Sequence, residues 1–594
     1  MMSLRSSFSL DFLKVLLTSI VLLCPVVVST SAIAQDNNDP FSGRPATGAA
    51  GLPIGTDSRS GADVKGPNGA NGRLTFRTQT VIVQVPAVVT DKSGHVLHGL
   101  TKDDFKVFED GKERHIATFE EVKAANSRPA TRATPAGEFS NSAALIRQPT
   151  SVAVIVLDTI NTPFLDQSYG RREALKYLAR NTSVQQTLGL VVIGGKGVQV
   201  LCGLGSEPAT LVAALKKATG QVSPMEEYGV AGQMVSASDP ESNKLWAQGT
   251  GIGEDPSARL AKWIAASDAV EGRNQQARST ETTLKAFLSL AWSLSGVPGR
   301  KSLIWITGSF PFQLASESSL PGSWAELYQK TMQALNNAQV SIYPVDARGL
   351  VGNSAFGGDE TSAQTVMDAS MRSDLNDAAL ASMRRFADMT GGRAFYNTND
   401  LAGAIASAVD DSGSYYMLGY YLDTHNDAPG WRKLKVQVKR PDVVVRARSG
   451  FLETRLTADP EITHNADIGF ALSSPFDSTA IPVTVKLGVT QEGDKGKVGF
   501  SLKMPEGSLV DESEKNAFDL DLVVQFAKDG APPAVVRNTL KGLIPPQALP
   551  GIKSDGMIYN NSIMVPHGKY EVRFLIRDNR TGRIGTVSAP LTVN

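Results

Sequence analysis

Apolar and polar positions follow three different rhythms along the chain. Between residues 80 and 122 they alternate with period two, in runs at 80–90, 105–109 and 112–122 that are broken by Asp91-Lys92-Ser93-Gly94 and by Asp110-Gly111. Period two with Asp-Gly between runs marks strands joined by a hairpin, so a small β unit is expected over 78–124. Thr101 with Asp104 has the form of a capping box, with room for one helical turn at most.

From residue 151 the rhythm changes. "VAVIVL" at 152–157, "LGLVVI" at 188–193, "SLIWIT" at 302–307 and "VSIYPV" at 340–345 are nearly all apolar, and amphipathic stretches at 166–181, 207–218, 282–295, 324–337, 376–390 and 400–412 alternate with them. Strands buried on both faces read as unbroken apolar runs, and the helices between them supply the cover. The fold class expected over 150–412 is therefore α/β, a doubly wound, mostly parallel sheet, with further strands at 197–202 and 393–396. Thr390-Gly391-Gly392 reads as a left-handed helix cap that feeds the last of these.

A third rhythm follows a β flank at 413–455. Seven short β runs lie at regular spacing between 482 and 593, which predicts a C-terminal β-sandwich of immunoglobulin-like type over 480–594. The flank's aromatic group, Tyr415, Tyr416, Tyr420 and Tyr421, is assigned to packing and not to a sugar platform.

Other stretches have no rhythm of these kinds. Residues 1–34 carry sparse positive charge at Arg5 and Lys14, an apolar run and then Ala32-Ile33-Ala34, the pattern of a signal peptide cleaved before Gln35; the alternative is an uncleaved anchor. Export to the periplasm, the cell surface or the medium is the expectation, with no membrane span after signal cleavage. Residues 35–77 are rich in Gly, Pro, Ser, Asn and Asp and read as a disordered linker, 125–149 as a second linker, and 220–256 as a surface insertion.

Composition narrows the classes. At 594 residues several domains are expected, and 59 basic residues balance 59 acidic ones. Without a chain-wide basic field, nucleic acid drops out as a partner. Of two cysteines, Cys24 lies in the leader, and Cys202 in "VQVLCGL" reads as a buried strand residue, so no internal disulfide forms.

Enzyme motifs are absent. There is no H-E-x-x-H, no G-x-S-x-G and no G-x-x-x-x-G-K-[ST]. His95 and His98 lie in a turn region and are not read as a metal pair. "GGKG" at 194–197 leads into another strand, so it lacks the helix terminus that would hold phosphate and reads as a hairpin turn; "GTGIG" at 249–253 has no strand before it. No catalytic residue is assigned, and the chain is expected not to be an enzyme. Two alternatives stand beside that reading. One is an exported hydrolase with its site in the tail or in the 220–280 insertion, where Trp246, Glu254, Asp255, Trp263 and Asp268 offer aromatic and acidic groups. The other is a structural envelope component.

Taken together, "VLDTINT", "PGRKSLIWITGSF", "VSIYPVDARG" and "LASMRRFADMTGGRAFYNTNDLAGAI" resemble, in order, the von Willebrand factor A fold. "VQVPAVVTDKSGHVLHGLTKDDFKVFEDGKERHIATFEEV" before them, and "YYMLGYYLD" through "RARSGF" after them, look like the flanks of a bacterial exported von Willebrand factor A-related group, so the resemblance covers about 78–453. It implies a metal-ion-dependent adhesion site of the D-x-S-x-S kind at the end of the first strand, where open parallel sheets bind ligands. Carried over, Asp158 takes the first position and Thr162 the last. Asn161 would reach a cation through its amide oxygen on a one-residue shift, and Thr282, or its neighbours Thr280 and Thr283, would come from a later loop. Ile160 stands where a serine should be, Gly308 where an acid should be, and Asp346 is the acid that would compensate. Mg²⁺ or another divalent cation is the cofactor implied for this degenerate site, and none is certain from the residues. The function expected is an exported protein-binding or adhesion-type module using the loops at the C-terminal edge of the sheet.

Overall fold

The computed structural model describes residues 82–123, 135–142, 152–180, 187–220, 256–310, 322–350, 363–422, 430–453, 461–492, 495–505 and 517–594. The leader, the 35–77 linker and residues 221–255 lie outside them, as does most of the second linker. Four β elements open the described chain: β1 (Ile82–Asp91), β2 (Phe105–Glu109), β3 (Lys112–Arg114) and β4 (Ile116–Lys123). Asp110 and Gly111, both at positive φ, make the β2–β3 hairpin turn. Thr101 and Asp104 form the capping box of a single 3₁₀ turn before β2. A short strand, β5 (Glu138–Ser140), follows.

The α/β part then runs β6 (Val152–Asp158), α1 (Phe164–Arg180), β7 (Thr187–Gly194), β8 (Gly197–Cys202), α2 (Pro208–Lys217), α3 (Pro256–Leu294), β9 (Lys301–Thr307), α4 (Gly322–Asn337), β10 (Val340–Asp346), α5 (Ala363–Thr390) and α6 (Leu401–Gly413). The sheet order is β10-β9-β6-β7-β8, parallel except for β8, which returns antiparallel from the Gly194–Gly197 hairpin. Every residue of β6, β7, β9 and β10 is buried. Alternate side chains enter two cores: Val154, Val156, Leu303, Trp305 and Ile342 meet α3, α4 and α5, while Ile155, Ile304, Ile306, Tyr343 and Val345 meet α1, α2 and α6. This double cover explains the unbroken apolar runs. Where a further strand was expected at 393–396 there is only one parallel bridge, Val345 to Phe395. The Gly pair before it is sterically required: Gly391 has φ +79°, and a Cβ on Gly392 would stand 1.9 Å from the Ile342 carbonyl oxygen.

After α6 come β11 (Ser414–Tyr421), β12 (Gly430–Val438), β13 (Val443–Arg446) and β14 (Gly450–Glu453). They do not form a flank of their own. The sheets are β13-β1-β11-β4 and β14-β12-β2-β3, so strands from 82–123 and 414–453, kept apart in the sequence reading, interleave around one core containing Val85, Phe105, Val107, Tyr416 and Leu418. Tyr415, Tyr416 and Tyr420 are buried, and Tyr421 is exposed.

The tail begins with α7 (Glu461–Ser473) and continues through β15 (Thr484–Glu492), β16 (Lys495–Met504), β17 (Ala517–Ala527), β18 (Ala534–Leu543), α8 (Leu549–Asp555), β19 (Met557–Pro566), β20 (Gly568–Asp578) and β21 (Ile584–Val593). Two antiparallel sheets, β19-β16-β15-β5 and β18-β17-β20-β21, share a core. Part of the expected 125–149 linker is therefore β5, an edge strand on β15. Asn141 fixes the join, donating to the carbonyls of Ser478 and Ile481 and accepting from the Val483 amide. The tail rests on α3: Trp292 stacks edge-on against Phe470, and the Gly296 amide donates to Thr479 Oγ1.

Candidate functional site

Asp158 ends β6 at the carboxyl edge of the sheet, and the parallel register places Leu157 beside Ile306, so Asp158 and Thr307 end neighbouring strands. The order reverses between these two strands, which is where open α/β sheets form a ligand crevice. The carboxylate there is already saturated. Oδ1 accepts from the amides of Ile160 (3.0 Å) and Asn161 (2.9 Å), while Oδ2 accepts from Asn161 Nδ2 (2.7 Å), Trp305 Nε1 (2.9 Å) and Thr307 Oγ1 (3.1 Å). Burial pushes the carboxyl pKa up, against the pull of these hydrogen bonds.

The loop after β6 is tied down on all sides. Asn161 Nδ2 also donates to Thr283 Oγ1 at 3.0 Å, the Gly308 amide donates to Thr162 Oγ1 at 2.9 Å, and Gln167 Nε2 donates to the carbonyls of Thr159 and Thr162. The expected site residues Asp158, Asn161 and Thr162 are thus brought together. Thr282 is not: it lies half-buried one residue away, and Thr283, rotated by about 100° round α3, faces Asn161 instead. Thr280 bonds its own helix at the Gln276 carbonyl. Asp346 is held in a fork by its neighbour, receiving Arg348 Nε at 2.9 Å and Nη2 at 2.7 Å.

These residues do not fit a divalent cation. Mg²⁺ needs a shell of oxygen lone pairs, whereas the groups around Oδ2 are N–H and O–H donors that point hydrogens at the place a metal would take. Rotating the Asn161 amide would set its oxygen 2.7 Å from the carboxylate oxygen, acceptor against acceptor, so its orientation is chemically fixed. Ile160 is buried in the core of the α3 face. At Gly308 a Cβ would lie 2.8 Å from Pro163 Cδ, so an acid has no room there. His95 and His98 bond different carboxylates, Asp91 and Glu121, and among the described residues no three metal-ligating side chains cluster.

Trp305, Thr307 and Gln167 were missed by sequence reasoning. A signal existed in the two apolar strands that both end in a polar residue: paired in parallel register, they bring those ends together. The cavity beside the site, lined by Leu157, Thr162, Gln167, Val192 and Ile306, measures about 30 Å³, room for a water or two. Arg171 and Thr219 line it as well, and exposed apolar side chains stand on the neighbouring start of α1 and on the segment after β10. Leu165 is 78% exposed, Phe164 44% and Leu350 62%. Leu165 and Tyr169 share a face of α1, Tyr169 donates to the Asn399 carbonyl at 2.6 Å, and Asn399 Oδ1 accepts from the Leu350 amide at 3.0 Å. Of the alternative hydrolase residues, Trp246, Glu254 and Asp255 lie outside the described residues, as do the side chains of Trp263 and Asp268.

No protein-family model matches the chain, and no curated protein does. Among solved structures, one titled as the VWA domain of SpRpn10 is 15% identical and covers 38% of this chain and 97% of its own, with a TM-score of 0.14.

Proposed function

We propose that the chain is an exported, non-enzymatic binding module whose protein partner docks on the rim of the α/β sheet's carboxyl edge, without a metal. The observation that carries this is the pairing of exposed Leu165, Phe164 and Leu350 with loops fixed by the buried Asp158 network. Apolar side chains on a preorganised frame lose little entropy on association, which favours binding. A cavity the size of a water or two supports recognition by a surface over turnover of a small substrate.

The doubly wound sheet through the quoted motifs supports the von Willebrand factor A-like reading, with a degenerate adhesion site whose aspartate serves the scaffold. For the tail, β15, β16 and β19 in one sheet and β18, β17, β20 and β21 in the other support a sandwich of immunoglobulin-like strand order.

The test is affinity capture from a periplasmic or secreted fraction with the full chain, with a Leu165→Asp, Leu350→Asp double variant, and with chelator. The expected outcome is a specific protein retained by the native chain with or without chelator and lost by the double variant. A partner that survives both substitutions would sink the rim as the contact surface. One released by chelator would restore the metal.

A further inference from the structure

Opposite the Asp158 network, at the amino edge of the same strands, arginines converge from three parts of the chain. Arg300, just before β9, is 1% exposed, and its Nη2 donates to Tyr343 Oη at 2.8 Å and to the Gly391 carbonyl at 2.5 Å. The parallel bridge between Val345 and Phe395 sets Arg393 alongside Tyr343, and Arg393 stacks over the Phe395 ring at 4.3 Å. From β13, Arg446 Nη2 meets Asp411 Oδ1 at 2.5 Å, and the backbone just beyond it presses on Gly391, where a Cβ would stand 2.8 Å from the Arg448 amide nitrogen. The charges of Arg300, Arg446 and Asp411 all bear on the Tyr343 phenol, and those of Arg446 and Asp411 bear on Arg393.

The count of charge is uneven. Among the described residues three guanidiniums face one carboxylate, Asp411; Glu120 acts on nearby Tyr415 from an exposed position. Nε and Nη1 of Arg300, Nε of Arg393 and Nε of Arg446 have no acceptor among the described residues, and neither has Asp411 Oδ2 a donor. A buried guanidinium with idle N–H groups is costly, and the fork geometry of arginine suits a tetrahedral or planar oxyanion. Arg393 and Arg446 are only partly buried, although the idle nitrogens themselves are shielded from solvent.

We infer that the junction between the α/β sheet and the interleaved β unit is a binding site for one oxyanion of the phosphate or carboxylate class, held by Arg300, Arg393 and Arg446. Bound there, the anion would bridge β9, the segment after α5 and β13, and so lock the two units together. This site is independent of the rim proposed above.

Isothermal titration of inorganic phosphate into the full chain, at ionic strength held constant with sodium chloride, tests it; acetate is offered in the same way. One saturable site for phosphate is expected, with acetate weaker, and the thermal midpoint should rise with phosphate beyond the chloride control. Among the described residues Arg393 has a ring contact and the field of Asp411 but no side-chain hydrogen bond, so Arg393→Gln should fold and weaken phosphate at least tenfold. Arg446→Lys, which keeps the charge but not the fork, should weaken it less. Heats equal to those of chloride for both anions would overturn the proposal, and so would unchanged phosphate affinity in Arg393→Gln.

Discussion

The two ends of one sheet hold opposite kinds of buried charge. At the carboxyl edge Asp158 accepts five hydrogen bonds and every donor around it is used. Among the described residues, Arg300 and its neighbours at the amino edge carry idle donors, and Lys301, 2% exposed, places its Nζ on the Val297 carbonyl alone, at 2.7 Å. A saturated buried group is part of the scaffold, because any ligand must first break bonds that are already made. An unsaturated one has bonding capacity left for something else. Position at a sheet's binding edge is thus a weaker guide to ligand chemistry than the bookkeeping of donors and acceptors.

The contrast can be attacked at several points. Asp158→Ala strands the Trp305 N–H and one Asn161 side-chain N–H, while the Thr307 hydroxyl keeps the Ser309 carbonyl, so a loss of roughly 3 kcal/mol is expected, a large share of the stability of a domain. Urea unfolding followed by Trp fluorescence measures it; a loss below about 1 kcal/mol would mean that the network is not structural.

At the other edge burial lowers the Lys301 pKa to about 7 from an ordinary 10.5. Between those values the unfolded chain binds the proton that the folded one has released, so stability rises with pH across that window. The rise should amount to a few kcal/mol. Lys301→Met should be the more stable protein near pH 7 and should flatten the curve between pH 7 and 10. Parallel pH profiles for the two proteins would contradict the assignment.

A smaller effect is expected from Gly308→Asp, the substitution that puts back the acid of an adhesion site. Contact with Pro163 should cost about 1–3 kcal/mol, and calorimetry with Mg²⁺ should show no new binding. Smallest of all is the response of the native protein to Mg²⁺ or chelator: no change in thermal midpoint, since a ligand without a site shifts nothing.

The α/β part was legible because burial on both faces leaves its mark directly on the residues, and Asp158 was legible because it ends the first such run. Thr282 was taken in place of Thr283 because helix phase sets which of two adjacent threonines faces the strand, and α3 begins far upstream of the segment that looked helical. Trp305 was hidden inside an apolar run where its indole N–H looks like any core residue. The pairing of β1 with β11, and of β5 with β15, was beyond local pattern altogether, since period two tells which face a residue takes but not which distant strand it meets.

That interleaving bears on how the chain is made. Leu100 hydrogen-bonds Tyr416, 316 positions later, so β1 to β4 leave the ribosome long before their partners exist. The α/β part between them, residues 152 to 413, has its own buried sheet and two cores. Until their partners are made the early strands present open backbone edges to whatever is near. Production of this protein should accordingly depend on helper factors that shield nascent strands, and its yield should fall with crowding of unfinished chains more steeply than its finished stability would suggest.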